Sequence, residues 1–258
     1  MSFSVASWRL GEYYNYRCSG QGKGEVMVEN MMENAKGNLE QLKTKIYDIL
    51  GIDVIEVATL LPGAGTAFEG ILMLANASNT KKLHDALKAL SKNENVEKSI
   101  NELYNYVSNE ERALYVSTAF RKIILSNSKI AAAIIGLMLG EIKSENREFN
   151  NEDIILFNAL ESMTDFDIRN LKEIMEKQVM VKDNGGEQYF DETKFPENKK
   201  KEYIETLMFC EKYRLFSSAS TIFVGEALKM GIFYQPRSVA ITLLEYINKI
   251  KGILYYGL

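Results

Sequence analysis

Two glycine-rich stretches come closest to the spacing of a phosphate-binding loop. The first, SGQGKGEV, has glycines at 20, 22 and 24 around Lys23, whereas a phosphate loop needs GxxxxGK followed by Ser or Thr after a strand. The second, LPGAGTAFEG, has glycines at 63, 65 and 70 and does not match GxGxxG. Neither stretch lies in a strand–turn–helix pattern, so neither predicts nucleotide chemistry. We expect residues 1–24 to form an irregular N-terminal arm.

The other reactive side chains do not form a catalytic or metal-binding pattern. The single histidine, His84, has no second histidine with which to share a metal ion, and its lysine-rich surroundings predict a surface position. Cys18 and Cys210 lie in no CxxC pair, which predicts reduced thiols in the cytoplasm. Asp165 and Asp167 are explained by helix capping. The sequence therefore predicts no enzyme activity, no metal site and no cofactor.

One basic run, Lys199–Lys201, is the strongest local candidate for nucleic-acid contact. The whole chain has a net charge of −4, which gives no general attraction to nucleic acid or to anionic lipid. Residues 150–258 contain 14 basic and 17 acidic side chains. Because non-specific nucleic-acid affinity comes from clustered cations, this balance argues against strong DNA binding.

A heptad-like seam predicts the first helix, which should end near Gly51. Its apolar residues recur at spacings of four and three, the a and d pattern of a coiled coil. Packing within the same chain is the favoured interpretation, and self-association as a homodimer is the alternative. The residues that would mediate self-association are Val28, Met32, Leu39, Leu42, Ile46 and Ile49.

The apolar segment 54–77 raises the question of a membrane span. It contains Pro62 and two acids, Glu56 and Glu69, and each acid would cost roughly 2.5–3.5 kcal/mol near the centre of a bilayer. We therefore predict no stable span. The small residues Gly63, Ala67 and Gly70 instead suggest close packing against the second apolar segment, KIAAAIIGLMLGEIK, through Gly136 and Gly140. A membrane-active effector that exposes segment 54–77 remains an alternative.

Capping signals predict the starts of three helices. Ser108 and Glu111 fit a capping box for a helix that ends near Ser126. Asn150 or Asn151 can cap the next helix, and Thr164 can cap the one after it. The polar stretch 143–151 predicts a domain boundary, with a helical bundle over 25–148 and a smaller domain over 149–258.

The smaller domain has the element order of a winged helix. Asn184-Gly185 predicts a hairpin with a type I′ turn, and a candidate recognition helix follows at about 198–213. Residues 217–235 would contain the wing and 238–250 the last helix, although the insertion 183–197 departs from the compact motif. Nucleic-acid binding would then use Lys199–Lys201 with Arg214 and Arg237, which flank the wing.

Two stretches resemble uncharacterised bacterial helical proteins. They are PGAGT at Pro62–Thr66 and SNEERALYVSTAFRKIILS at Ser108–Ser126. The resemblance implies a glycine-containing apolar segment, a helical middle and a small C-terminal winged-helix-like domain, and it implies no catalytic residues.

Together these patterns predict a mainly α, cytoplasmic protein. It should have a non-enzymatic interaction or regulatory role, with a protein partner or itself as the binding partner. A nucleic-acid-binding winged-helix regulator is the first alternative. A membrane-active effector is the second.

Overall fold

The computed structural model describes residues 37–39, 41, 42, 44, 45, 77–92 and 94–254. Within them the chain is mainly helical, with a four-stranded antiparallel sheet in the C-terminal part. The N-terminal arm, the rest of the heptad seam and segment 54–76 lie outside the described residues. No helix in the described part of the chain has both the length and the apolar composition needed to cross a bilayer.

Four of the described helices precede the predicted boundary. They are α1 (Ala77–Leu90), α2 (Val96–Tyr106), α3 (Glu110–Leu125) and α4 (Lys129–Ser144). Residues 37–39, 41, 42, 44 and 45 are also helical, as the seam predicts. Leu39 and Leu42 are buried in the same core as α1 to α4. This burial agrees with the interpretation that the seam packs within its own chain.

Helix α4 is the centre of this core. It is apolar around its whole circumference, and nearly every residue from Ile130 to Ile142 is buried. A Cβ added at Gly136 would lie 2.1 Å from the carbonyl oxygen of Ala86, and one added at Gly140 would lie 2.4 Å from that of Leu90. The predicted close packing at these two glycines is therefore present. Its partner among the described residues is α1; the predicted partner, segment 54–77 with Gly63, Ala67 and Gly70, lies almost wholly outside them, so that part stays a prediction.

The predicted cap of α3 was wrong by one residue. Asn109 is the N-cap, because its side-chain oxygen accepts a hydrogen bond from the Arg112 amide at 2.8 Å. The hydroxyl of Ser108 instead faces the Arg112 guanidinium at 3.5 Å. The other two caps are confirmed as full capping boxes, Asn150 with Asp153 and Thr164 with Asp167.

Two arginines organise the connection at the predicted domain boundary. The Arg112 guanidinium donates to the side chains of Glu148 and Asn146 and lies 4.4 Å from the centre of the Tyr106 ring. Arg147 makes two hydrogen bonds to the buried carboxylate of Asp153, at 2.6 and 3.0 Å. The described core continues across this connection. The division into two domains stays a prediction.

The C-terminal part alternates helices with two hairpins. Its helices are α5 (Asn151–Ser162), α6 (Asp165–Lys177), α7 (Lys200–Lys212) and α8 (Ser238–Ile253). Its strands are β1 (Met180–Lys182), β2 (Gln188–Asp191), β3 (Phe216–Val224) and β4 (Ala227–Pro236), in the sheet order β1-β2-β4-β3. A 3₁₀ turn, Glu192–Lys194, links β2 to the segment before α7.

The predicted first hairpin exists, but its type I′ turn does not. Strand pairing ends at Lys182 and Gln188, so the connection contains five residues rather than two. Only Gly186 in this connection has a positive φ, of 85°, whereas a type I′ turn needs positive φ at both central residues. Asn184 instead contacts the second hairpin. Its amide donates to the Phe223 carbonyl at 2.8 Å and its side chain to the Gly225 carbonyl at 2.7 Å.

Candidate interaction surface on the second hairpin

The predicted basic run does not form a free cationic surface. Lys199 donates a hydrogen bond to Glu173 and lies 5.7 Å from the centre of the Tyr203 ring. This hydrogen bond raises the pKa of Lys199 and lowers the pKa of Glu173. Lys201 pairs with Glu205 at 3.9 Å on the exposed side of α7, and Lys200 is half-buried. Helix α7 contains three lysines and three glutamates, so the candidate recognition helix has no net charge.

Arg214 and Arg237 lie together at the base of the second hairpin. The Arg237 amide donates to the Leu215 carbonyl at 3.0 Å, next to Arg214 in the chain. Both side chains are exposed. Lys199 lies at the opposite end of α7, which at 1.5 Å per residue is roughly 20 Å away. The structure therefore brings together two of the five predicted cations and separates them from the lysine run.

The position predicted for His84 was wrong. His84 is only 7% exposed, and its Nδ1 lies 3.1 Å from the carboxylate of Asp85. The neighbouring lysines suggested an exposed face, but between Lys81 and Leu90 only the three lysines are exposed or half-exposed, and the other side chains are buried. The apolar pattern of this helix in the sequence predicts one buried side, so it could not predict that His84 is buried as well.

The remaining reactive side chains have structural surroundings. Asp167 caps its own helix, and Asp165 accepts from the Ser128 hydroxyl and from the Ile130 amide, at 3.3 Å, at the start of α4. Burial raises the pKa of the Cys210 thiol well above its usual range. Among the described residues, no group of three or more His, Cys, Asp or Glu side chains is placed to hold a metal ion.

The residues proposed for self-association through the seam divide into two groups. Leu39 and Leu42 are 1% and 0% exposed in a single chain, so they are not available to a second copy in this conformation. The others, Val28, Met32, Ile46 and Ile49, lie outside the described residues.

The largest exposed apolar side chains of the sheet lie on the second hairpin. Phe223 is 55% exposed, Leu228 is 52% exposed and Met230 is 79% exposed. Phe223 is paired directly with Leu228, and Met230 is paired with Thr221 two residues along the ladder. Because side chains of paired residues and of alternate residues share one face of a sheet, Phe223, Leu228 and Met230 form one uncharged surface, called the hairpin face below.

The opposite side of the same hairpin is packed. Ile222 forms a buried cluster with Tyr189 and Phe233, and Val181 and Val224 pack against it. The two hydrogen bonds from Asn184 tie the tip of the second hairpin to the turn of the first. The register of the second hairpin is irregular between Ala219 and Thr221. The hairpin face is therefore held in place from behind and does not depend on a partner for its conformation.

The sequence contains a signal for this surface in the wing segment 217–235. The predicted wing has apolar residues on both sides of its strands, with Ile222 and Val224 alternating with Phe223. One side can be buried by the small first hairpin, which leaves the other side exposed. The hairpin face contains neither a nucleophile nor a metal ligand. Its exposed apolar side chains therefore favour contact with another apolar surface rather than catalysis.

Comparison with known proteins gives no relative for this chain, since no family model, no curated protein and no solved structure matches it.

Proposed function

We propose that the protein is a non-enzymatic interaction protein that self-associates through the hairpin face. The observation that carries the proposal is the exposure of Phe223, Leu228 and Met230 on a hairpin whose other side packs on a buried cluster. Their exposed area is roughly 350 Å², a patch size that is often functional on otherwise monomeric proteins.

A second copy of this chain is the partner that the surface fits best. In a two-fold dimer each patch meets itself, so a charged patch would repel its own copy. The hairpin face and the adjacent Thr221 have no formal charge, and Phe223 of one copy can pack on Leu228 of the other. Two such patches would bury roughly 700 Å², below the standard size of stable interfaces, so we expect a weak, micromolar dimer.

Sedimentation velocity over a range of concentrations tests the proposal. The chain of 29.3 kDa should shift toward twice that mass, and the double substitution Phe223→Ser/Met230→Ser should remain monomeric. Val179→Ser is the matched control, because Val179 is also 79% exposed but lies before β1, outside the hairpin face. A wild type that stays monomeric at high concentration, or a double variant that dimerises equally well, rejects the proposal. Flotation with vesicles would reveal binding of the same face to lipid instead.

A winged-helix-like fold and nucleic-acid binding form the second candidate. The strand order β2-β4-β3, with α7 between β2 and β3 in the chain, supports a winged-helix-like arrangement in which β3 and β4 form the wing. Arg214 and Arg237 at the base of this wing are two exposed cations placed for phosphate contact. The pairing of Lys199 and the net neutrality of α7 weigh against this candidate.

Fluorescence anisotropy with mixed-sequence duplex DNA at several salt concentrations separates the two candidates. The interaction proposal predicts no salt-sensitive binding at micromolar protein. Binding that is lost on Lys199–Lys201→Ala, or on Arg214→Ala with Arg237→Ala, would favour the nucleic-acid candidate.

A further inference from the structure

A groove lies between α5 and the end of α7, away from the hairpin face. Its volume is about 710 Å³, within the range of small-molecule sites. One wall contains Asn151, Ile155, Asn158 and Ser162, which are spaced 4, 3 and 4 residues apart and so form one stripe along α5. The other wall is Lys212–Arg214. The two walls are joined by a hydrogen bond of 2.7 Å from the Tyr213 hydroxyl to Ser162.

The charge in this groove is positive and unneutralised. Lys212 and Arg214 are exposed, and neither forms an ion pair with any carboxylate among the described residues. Among the described residues, the Lys212 ammonium contacts only the Tyr213 ring, whose centre is 5.4 Å from its Nζ. Glu161 also lines the groove, but its carboxylate is already paired with Lys122. Within the part of the chain that the structure describes, two cations therefore face a groove whose one acid is already paired.

The uncharged residues of the groove offer a ligand both hydrogen-bonding groups and an apolar surface. The side-chain amides of Asn151 and Asn158 form no hydrogen bond with the described residues, so they are available as donors and acceptors. Ile154 and Ile155 are half-buried and supply an apolar surface between them. A free inorganic ion would use the cations but not this apolar surface.

We propose that the groove binds a small organic anion. Its phosphate or carboxylate group contacts Lys212 and Arg214, and its body packs on Ile154 and Ile155 while hydrogen bonding to the two asparagines. This site is independent of the hairpin contact, because it shares no residue with the hairpin face.

Titration of ¹⁵N-labelled protein by NMR at constant ionic strength tests this proposal, with inorganic phosphate, adenosine 5′-monophosphate and phenylacetate as probes. We expect saturable shifts at the Tyr213 and Arg214 amides and at the side-chain amides of Asn151 and Asn158. At least one organic anion should bind ten-fold or more tightly than inorganic phosphate, because only an organic anion uses the apolar surface.

Lys212→Ala combined with Arg214→Asn should weaken binding of the stronger organic probe at least ten-fold. Asn is chosen because Arg214 has a φ of 61°, a conformation that Asn tolerates. Arg169→Ala is the matched control, since Arg169 is an exposed arginine that does not line the groove and forms no ion pair with any residue the structure describes. Unchanged affinity in the double variant, an equal loss in the control, equal affinity for all three anions, or no saturable shift with any probe would each overturn the proposal.

Discussion

Helix α4 and the second hairpin are both rich in large apolar side chains, yet their surroundings are opposite. In α4, side chains from Ile130 to Leu139 are at most 1% exposed, and two glycines admit the backbone of α1. In the hairpin, Phe223 and Met230 are 55% and 79% exposed. Apolar residues of α4 therefore stabilise the fold, whereas those of the hairpin face contribute little to it. Because these side chains are exposed and contribute little to the stability of the fold, we infer that they contact a partner.

The largest expected effect comes from filling the contact between α4 and α1. Gly136→Ala places a Cβ at 2.1 Å from a backbone carbonyl oxygen that cannot rotate away, so we expect a loss of about 2–4 kcal/mol in the free energy of unfolding. Urea denaturation followed by circular dichroism measures it. In Gly252→Ala, a control on α8 with nothing within 4 Å of the new Cβ, stability should be unchanged or slightly higher. Equal stability of the two variants would contradict the close packing of α1 on α4.

A smaller loss should follow from changing the connection between α4 and α5. Asp153 is 4% exposed and accepts two hydrogen bonds from Arg147 and one from the Asn150 amide, at 2.9 Å. Asp153→Asn removes the charge that Arg147 faces, and we expect a loss of about 1–3 kcal/mol by urea denaturation.

The control for this pair uses the same arginine. Arg147 also binds Glu145 at 3.0 Å, but the Glu145 side chain is 58% exposed. Glu145→Gln should change stability by no more than about 0.5 kcal/mol, because exposed ion pairs contribute little. If both substitutions cost the same, burial of the Asp153 carboxylate is not what stabilises the connection.

A modest acid-sensitive contribution is expected from the pair at the start of α7. The hydrogen bond from Lys199 lowers the pKa of Glu173 in the folded state. A lowered folded pKa means that its contribution is present above the unfolded value of about 4.3 and is lost as the pH falls through the folded value. Glu173→Gln should therefore reduce stability by less than about 1 kcal/mol at pH 7 and have no effect once the carboxyl is protonated. Urea midpoints at pH 7 and pH 2.5 test this, with Glu197→Gln as the control, because the exposed Glu197 has no ion pair with a described residue.

A similarly small change in stability is expected at the hairpin face. Phe223→Ser/Met230→Ser should alter the unfolding free energy of the monomer by no more than about 1 kcal/mol, because both side chains lie largely in solvent. Urea denaturation at low protein concentration measures this quantity without a contribution from association. A loss as large as that of Gly136→Ala would mean that the hairpin face belongs to the core of the fold.

The sequence predicted those parts of the fold that depend on local signals. The caps at Asn150 and Thr164 follow from side chains three residues apart, and the burial of α4 follows from an apolar pattern on all sides. Tertiary contacts determined the features that the sequence did not predict. Ser108 and Asn109 are both suitable N-cap residues for α3, but Asn109 is the cap, because the Ser108 hydroxyl faces the guanidinium of Arg112. Burial of His84 required neighbours distant in the chain.

The candidate sites were less accessible from sequence for a related reason. Exposure of Phe223 depends on how much of the second hairpin the first hairpin can cover, and strand pattern alone does not contain that information. The groove joins Asn158 of α5 to Arg214 after α7, two residues far apart in sequence with no shared motif. Pairing of Lys199 with Glu173 likewise depends on the packing of α7 against α6.

Concentration-dependent NMR of ¹³C-methyl methionine tests the central claim most directly. Met230 on the hairpin face and Met208 on α7 are both well exposed, at 79% and 59%, so each reports on its own surface. Self-association through the hairpin face predicts that the Met230 methyl signal shifts and broadens with rising protein concentration while the Met208 signal stays fixed. A fixed Met230 signal, or a shift at Met208 alone, would contradict it.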